Sequence, residues 1–114
     1  MKLPNADSAI IERKKVVEYL LALDHSSGRS KARFFTGVGF NARRWQVLAD
    51  ALRKHAQDST VTGTETSAYG QKYVVEGPLG CPGGRQHLIR SVWFITNGQI
   101  APRLVTAYPA GATP

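Results

Sequence analysis

The stretch His87-Leu88-Ile89-Arg90-Ser91-Val92-Trp93-Phe94-Ile95, followed by Asn97-Gly98, is the longest β-rich run in the chain. It is dominated by branched and aromatic residues and ends on a dipeptide that favours tight hairpins. Alternation sorts it into two faces. Leu88, Arg90, Val92 and Phe94 share one, and His87, Ile89, Ser91, Trp93 and Ile95 share the other. Both faces are largely apolar, as in a central strand that is covered on both sides or cradles a ligand. Working outward, Leu104 to Tyr108 reads as the last strand, with Leu104, Thr106 and Tyr108 on one face. Upstream, Lys72-Tyr73-Val74-Val75-Glu76 reads as a strand ended by Gly77-Pro78. The Gly/Pro-dense stretch Leu79 to Gly84 reads as a loop. Thr60 to Thr66 is a further β-branched strand.

Before Ser59 the period is helical. Ile10 to Leu23 places Ile10, Val17, Leu20 and Leu21 on one face. Ile10-Ile11 reads either as part of that helix or as an extended piece before a helix opening at Glu12 or Arg13. The cap-forming Asp24-His25-Ser26-Ser27-Gly28 follows, then a second helix from about Arg29 to Gly37. Asn41 is placed to cap a third helix whose apolar stripe is Trp45, Leu48, Ala49 and Leu52. Three helices followed by four strands predict an α+β fold, with the helices packed on one face of a four-stranded antiparallel meander. Residues 1–108 form a single domain and 109–114 a flexible tail.

At 114 residues and 42% apolar, the chain is long enough for one packed domain and too apolar for a disordered one. One cysteine, Cys81, excludes a disulfide framework and a cysteine-cluster zinc site. His25, His55 and His87 lack metal-ligand spacing. No Walker loop or nucleophile elbow is present. No run approaches the length of a membrane span, and Met1-Lys2-Leu3-Pro4-Asn5 is not followed by the apolar core of a signal peptide. The single thiol and the missing export signal point to the cytoplasm. Fifteen Lys and Arg against eight Asp and Glu leave a formal charge of +7, which attracts polyanions, most commonly nucleic acid.

Two cations stand where solubility is a poor explanation. Lys31 shares a helical face with Phe34, Phe35 and Val38 in the first turn of its helix, where the helix dipole disfavours a positive charge. With Arg29 and the free N–H groups of that turn it suits an anion; alternatively its stem covers phenylalanine while its head reaches water. Arg90 sits beside Leu88 and Val92, where an arginine is costly unless it meets an anion or a partner. His25 lies just before Lys31 and suits acid–base work near neutral pH, or a capping role. Thr106 and Tyr108 can offer hydroxyls to a phosphate. Cations, a histidine and hydroxyls suffice for RNA cleavage without metal, because RNA supplies its own 2′-OH nucleophile.

Several stretches also resemble a family of small, uncharacterised bacterial domains across nearly the whole chain. They are Lys2-Leu3-Pro4-Asn5-Ala6, Tyr19-Leu20-Leu21, His25 to Phe35 with Gly39-Phe40 and Trp45, Tyr69 to Gly77, Gly84-Arg85, Arg90 to Ile95 and Pro102 to Pro109. Such domains occur alone and as C-terminal tips of polymorphic toxins. More distantly, the element order looks like the barnase, EndoU, colicin and RelE-like (BECR) group of RNase toxins. The resemblance implies a metal-independent endoribonuclease with no cofactor, neutralised by a cognate, acidic antitoxin or immunity protein. It implies Lys31 and Arg90 as phosphate and transition-state cations, His25 as the acid–base group, Thr106 as a phosphate-orienting residue, and Tyr108 as a base-stacking or proton-donating one. Arg29, Arg33, Lys72, Arg85 and Arg103 are the expected RNA-binding cations. The reading from a different class is a non-catalytic basic module that binds nucleic acid or a protein partner.

Overall fold

A computed structural model describes residues 1–26 and 28–111. Three helical segments precede four strands, as the periodicity predicts. The strands form one antiparallel sheet in the order β1-β2-β3-β4: β1 (Thr60–Ser67), β2 (Gly70–Gly80), β3 (Gln86–Thr96) and β4 (Arg103–Pro109). The helices cover one sheet face. There Val75, Leu79, Ile89, Trp93, Leu104 and Ala107 pack with Val16, Leu20, Phe35, Leu48 and Leu52 in a single core.

The first helix differs from a regular amphipathic one. Ile10 is extended and bridges Arg103 in parallel, so the chain turns helical only at α1 (Arg13–Lys15). α1 runs directly into a π-helical turn, Val16–Leu20, in which the Leu21 N–H bonds the Val16 carbonyl at 2.8 Å. Five-residue closure brings Val16, Leu20 and Leu21 all into the core. α2 (Arg29–Gly37) has the expected bounds, and Gly39, at φ 110°, turns the chain after it in a conformation that glycine adopts without strain. The Asn41 side chain accepts from the Arg44 N–H at 3.1 Å, capping a 3-10 turn (Ala42–Arg44) that leads into α3 (Trp45–Asp58).

Three strand expectations change. β2 does not stop at Gly77-Pro78 but continues to Gly80, so the loop expected from Leu79 to Gly84 shrinks. β1 reaches only to the partner of Glu76, which leaves β2 an edge strand at Pro78, where a missing N–H is tolerated. Asn97-Gly98 does form a turn, closed by the Gln99 N–H on the Thr96 carbonyl at 2.9 Å, but β4 pairs only from Arg103 onward. A bulge in β4 pairs Val92 with Thr106 but Trp93 with Leu104, leaving Val105 unpaired between them. Leu104 therefore faces the core, while Thr106 and Tyr108 face the other side, and the expected common face is broken. Pro109 still pairs with Ile89, and of the expected tail, 112–114 lie outside the described residues.

Polar groups inside the core are matched. His55 Nε2 donates to the Gly77 carbonyl at 3.1 Å, so Nδ1 accepts from the Ser91 hydroxyl at 3.0 Å. Ser91 Oγ in turn accepts from Trp93 Nε1–H at 2.8 Å. Burial pushes His55 below its ordinary value, with the Gly77 and Ile89 carbonyls pulling partly the other way.

Candidate active site at the junction of the π-helical turn and the last strand

The site is assembled from two groups of side chains that meet on β4. The first surrounds Tyr19, which the π-turn directs toward that strand. Its hydroxyl lies 3.2 Å from Thr106 Oγ1. The His25 ring meets it edge-on at 5.2 Å between centroids. Lys15 Nζ and Lys31 Nζ sit 5.1 and 5.6 Å from the ring centroid. Lys31 is only 9% exposed, and among the described residues no carboxylate lies within ion-pair distance of it. Its stem is buried, and its ammonium lies over an aromatic ring rather than beside an acid.

The loop between the π-turn and α2 shapes this group. The Gly28 N–H donates to His25 Nδ1 at 3.0 Å, so the neutral ring carries its proton on Nε2. A Cβ on Gly28 would stand 2.6 Å from the Tyr19 carbonyl oxygen, so only glycine lets the chain close there.

The second group lies on the sheet face opposite the helices. Arg90 pairs with Tyr108 on β4 and with Glu76 on β2. Its Nε donates to Glu76 Oε1 at 2.7 Å. The Glu76 hydrogen bond is the main influence raising Arg90 above its ordinary value, with Tyr108 adding to it, so the guanidinium stays charged. Tyr108 and Val92 are 5% and 7% exposed although they stand outside the main core. Thr106 and Tyr108 are two residues apart on one face of β4, hence about 7 Å, and join the two groups.

His25, Lys31 and Thr106 thus gather around Tyr19, and Arg90 and Tyr108 gather beside Glu76. Arg29 and Arg33 are exposed on α2. Arg103 bonds Glu12 at the wall of an open cleft of about 240 Å³ shared with Lys15. A second cleft of about 340 Å³ is lined by Glu12, Lys14, Lys15, Glu18, Tyr19 and His25. Lys72, 3.7 Å from Glu65, and Arg85 belong to opposite ends of the β2–β3 hairpin and join neither group. Among the described residues no three His, Cys, Asp or Glu side chains converge as a metal ion would need. Cys81 is buried and its thiol is pushed up by burial, which suppresses nucleophilicity.

Three residues of the cluster, Tyr19, Lys15 and Glu76, are not candidates of the sequence reading. Glu76 could have been found had the β2–β3 register been known, since it lies directly across from Arg90. Tyr19 and Lys15 carry no local signal, because their placement depends on the π-turn.

This geometry can be set beside known proteins. The match of a family model to residues 2–111 is decisive. The chain belongs to the family described as domain of unknown function DUF6883. No curated protein matches it in sequence. The DUF6883 chain shares its fold with a chain from the solved structure "Contact-dependent growth inhibition toxin - immunity protein complex from Klebsiella pneumoniae 342". That likeness has a TM-score of 0.70 at 18% identity, over 94% of this chain and 97% of the other. Among the described residues no helix is long and apolar enough to cross a membrane.

Proposed function

We propose that this DUF6883 chain is a toxin domain that cleaves RNA without metal, and that a cognate immunity protein neutralises it. The observation that carries the reading is Lys31. A lysine with a buried stem, an ammonium over an aromatic ring and no ion-paired carboxylate among the described residues suits a phosphate that arrives from outside. Thr106 and His25 flank it through Tyr19, and Arg90 on β3, paired with Tyr108 of β4, offers a second cation. The fold shared with a chain of a toxin–immunity complex supports the biological setting. The charge of +7 suits both RNA and an acidic immunity partner.

In the proposed reaction the ribose 2′-oxygen attacks the adjacent phosphorus as its proton is removed. The bond to the 5′-oxygen breaks, and that oxygen takes up a proton. Lys31 and Arg90 stabilise the charge on the phosphorane. The Glu76 carboxylate takes the 2′-hydroxyl proton as the base, His25 as an imidazolium gives the 5′-oxygen its proton as the acid, and Thr106 and Tyr108 donate hydrogen bonds. The products are a 2′,3′-cyclic phosphate and a 5′-hydroxyl.

The test incubates wild-type and Lys31→Ala protein with tRNA, rRNA and mRNA in EDTA, with and without ribosomes, and maps the ends. Cleavage by wild type, lost by at least about 100-fold in Lys31→Ala, is the expected result. Salt-dependent binding of RNA with no products from wild type overturns the ribonuclease reading in favour of a binding module.

A further inference from the structure

Tyr19 touches every functional group on the helical side of the site. Its ring meets the Lys15 and Lys31 ammonium groups and the His25 imidazole, and its hydroxyl meets Thr106. Core filling explains only part of this, since Tyr19 packs against the core with one side of its ring exposed to other contacts. Val16, Leu20 and Leu21 from the same segment are buried, while Tyr19 is only half-buried and lines an open cleft. Two local features that depart from regular helix geometry converge on it. One is the π-helical turn, a rare conformation that is frequent at functional sites. The other is Gly28, whose backbone closes on the Tyr19 carbonyl so tightly that a Cβ would clash.

The choice of an aromatic ring has a physical consequence. A carboxylate in its place would hold the lysines but also neutralise them. A ring attracts an ammonium through its quadrupole and leaves the full charge available to an incoming anion. We propose that Tyr19 is the positioning residue of the site: its ring holds the Lys31 ammonium where a phosphodiester arrives, and its hydroxyl orients Thr106 toward the same phosphate. The proposal rests on the ribonuclease reading for its catalytic part and on anion binding alone for the rest.

Four variants test it: Tyr19→Phe, Thr106→Val, the two combined, and Tyr19→Leu. Tyr19→Phe keeps the ring and loses the hydroxyl contact. It is expected to lower kcat about tenfold at unchanged KM, as is Thr106→Val, with the double variant no worse than either. Additive losses overturn the hydroxyl role, because independent groups would not couple. Tyr19→Leu removes the ring. It is expected to flatten the salt dependence of binding to a non-cleavable single-stranded 2′-deoxyoligonucleotide by about 0.7 in slope, one phosphate contact. An unchanged slope overturns the ring role. If wild type cleaves no RNA, the ribonuclease reading falls and the Tyr19→Leu slope decides this proposal by itself. If Tyr19→Leu does not fold, the Tyr19→Phe and Thr106→Val cycle decides it.

Discussion

Lys31 has a buried stem and a charge that no carboxylate balances among the described residues. In the proposed reading such a residue serves binding rather than stability. Lys31→Met keeps the stem and removes the charge, so its thermal midpoint is expected to equal or exceed that of wild type while RNA cleavage is lost; a calorimetric scan beside a cleavage assay checks both. Gly28→Ala is expected to cost about 1–3 kcal/mol in urea unfolding, because the added methyl meets the Tyr19 backbone, which cannot swing away. His55 behaves oppositely to a paired surface histidine. Its folded value lies below the ordinary 6.5 because burial disfavours the charge. The unfolded chain therefore binds the extra proton first as pH falls, and stability rises with pH through this range. His55 burial is free of this penalty above about pH 6.5. Below it, stability falls by up to about 1.4 kcal/mol per pH unit until the folded value is reached. The dependence appears as the difference between wild type and His55→Gln in denaturation curves at pH 7.5 and 5.5.

At the scale of elements, local chemistry and long-range pairing part company. α2 has the expected bounds and the third helix opens from the expected cap, through a 3-10 turn, because their signals lie within a few residues of the ends. The Asn41 cap is one of these, and Asn41→Ala is expected to cost about 1 kcal/mol, read as a shift in the urea midpoint at constant slope. The segment from Ile10 to Leu23 is half legible. Its apolar residues announce a helix, but whether closure takes four residues or five is decided by what the turn packs against. Strand parity on β3 holds along its whole length, and Ile89, Ser91 and Trp93 are all fully buried. On β4 parity fails at Val105, because nothing in Arg103-Leu104-Val105-Thr106 announces a bulge. β2 runs past Pro78 because β1 ends before it, a fact about a neighbouring strand that Pro78 itself does not encode.

For the whole molecule, the charge of +7 sharpens into a distribution. Arg53, Lys54, Lys72, Arg90 and Arg103 are paired with carboxylates, whereas Lys15 and Lys31 share an aromatic ring. Removing a paired, exposed cation such as Lys54 is expected to change RNA affinity by less than about threefold at 0.15 M salt, because such pairs contribute little and lie outside the cluster. A filter-binding titration of Lys54→Ala checks this.

The sequence by itself determined the element types, their order and the α+β class, because hydrophobic period, caps and turn residues act over a few positions. It also marked Lys31 and Arg90 as cations in apolar company. Only the tertiary structure decided what they meet. Arg90 faces Glu76 fourteen residues away, and Tyr19 faces Thr106 eighty-seven residues away. Such distances are set by strand register, one bulge and one π-helical turn. Those are properties of how separate elements fit together, and no single segment of the chain carries the information.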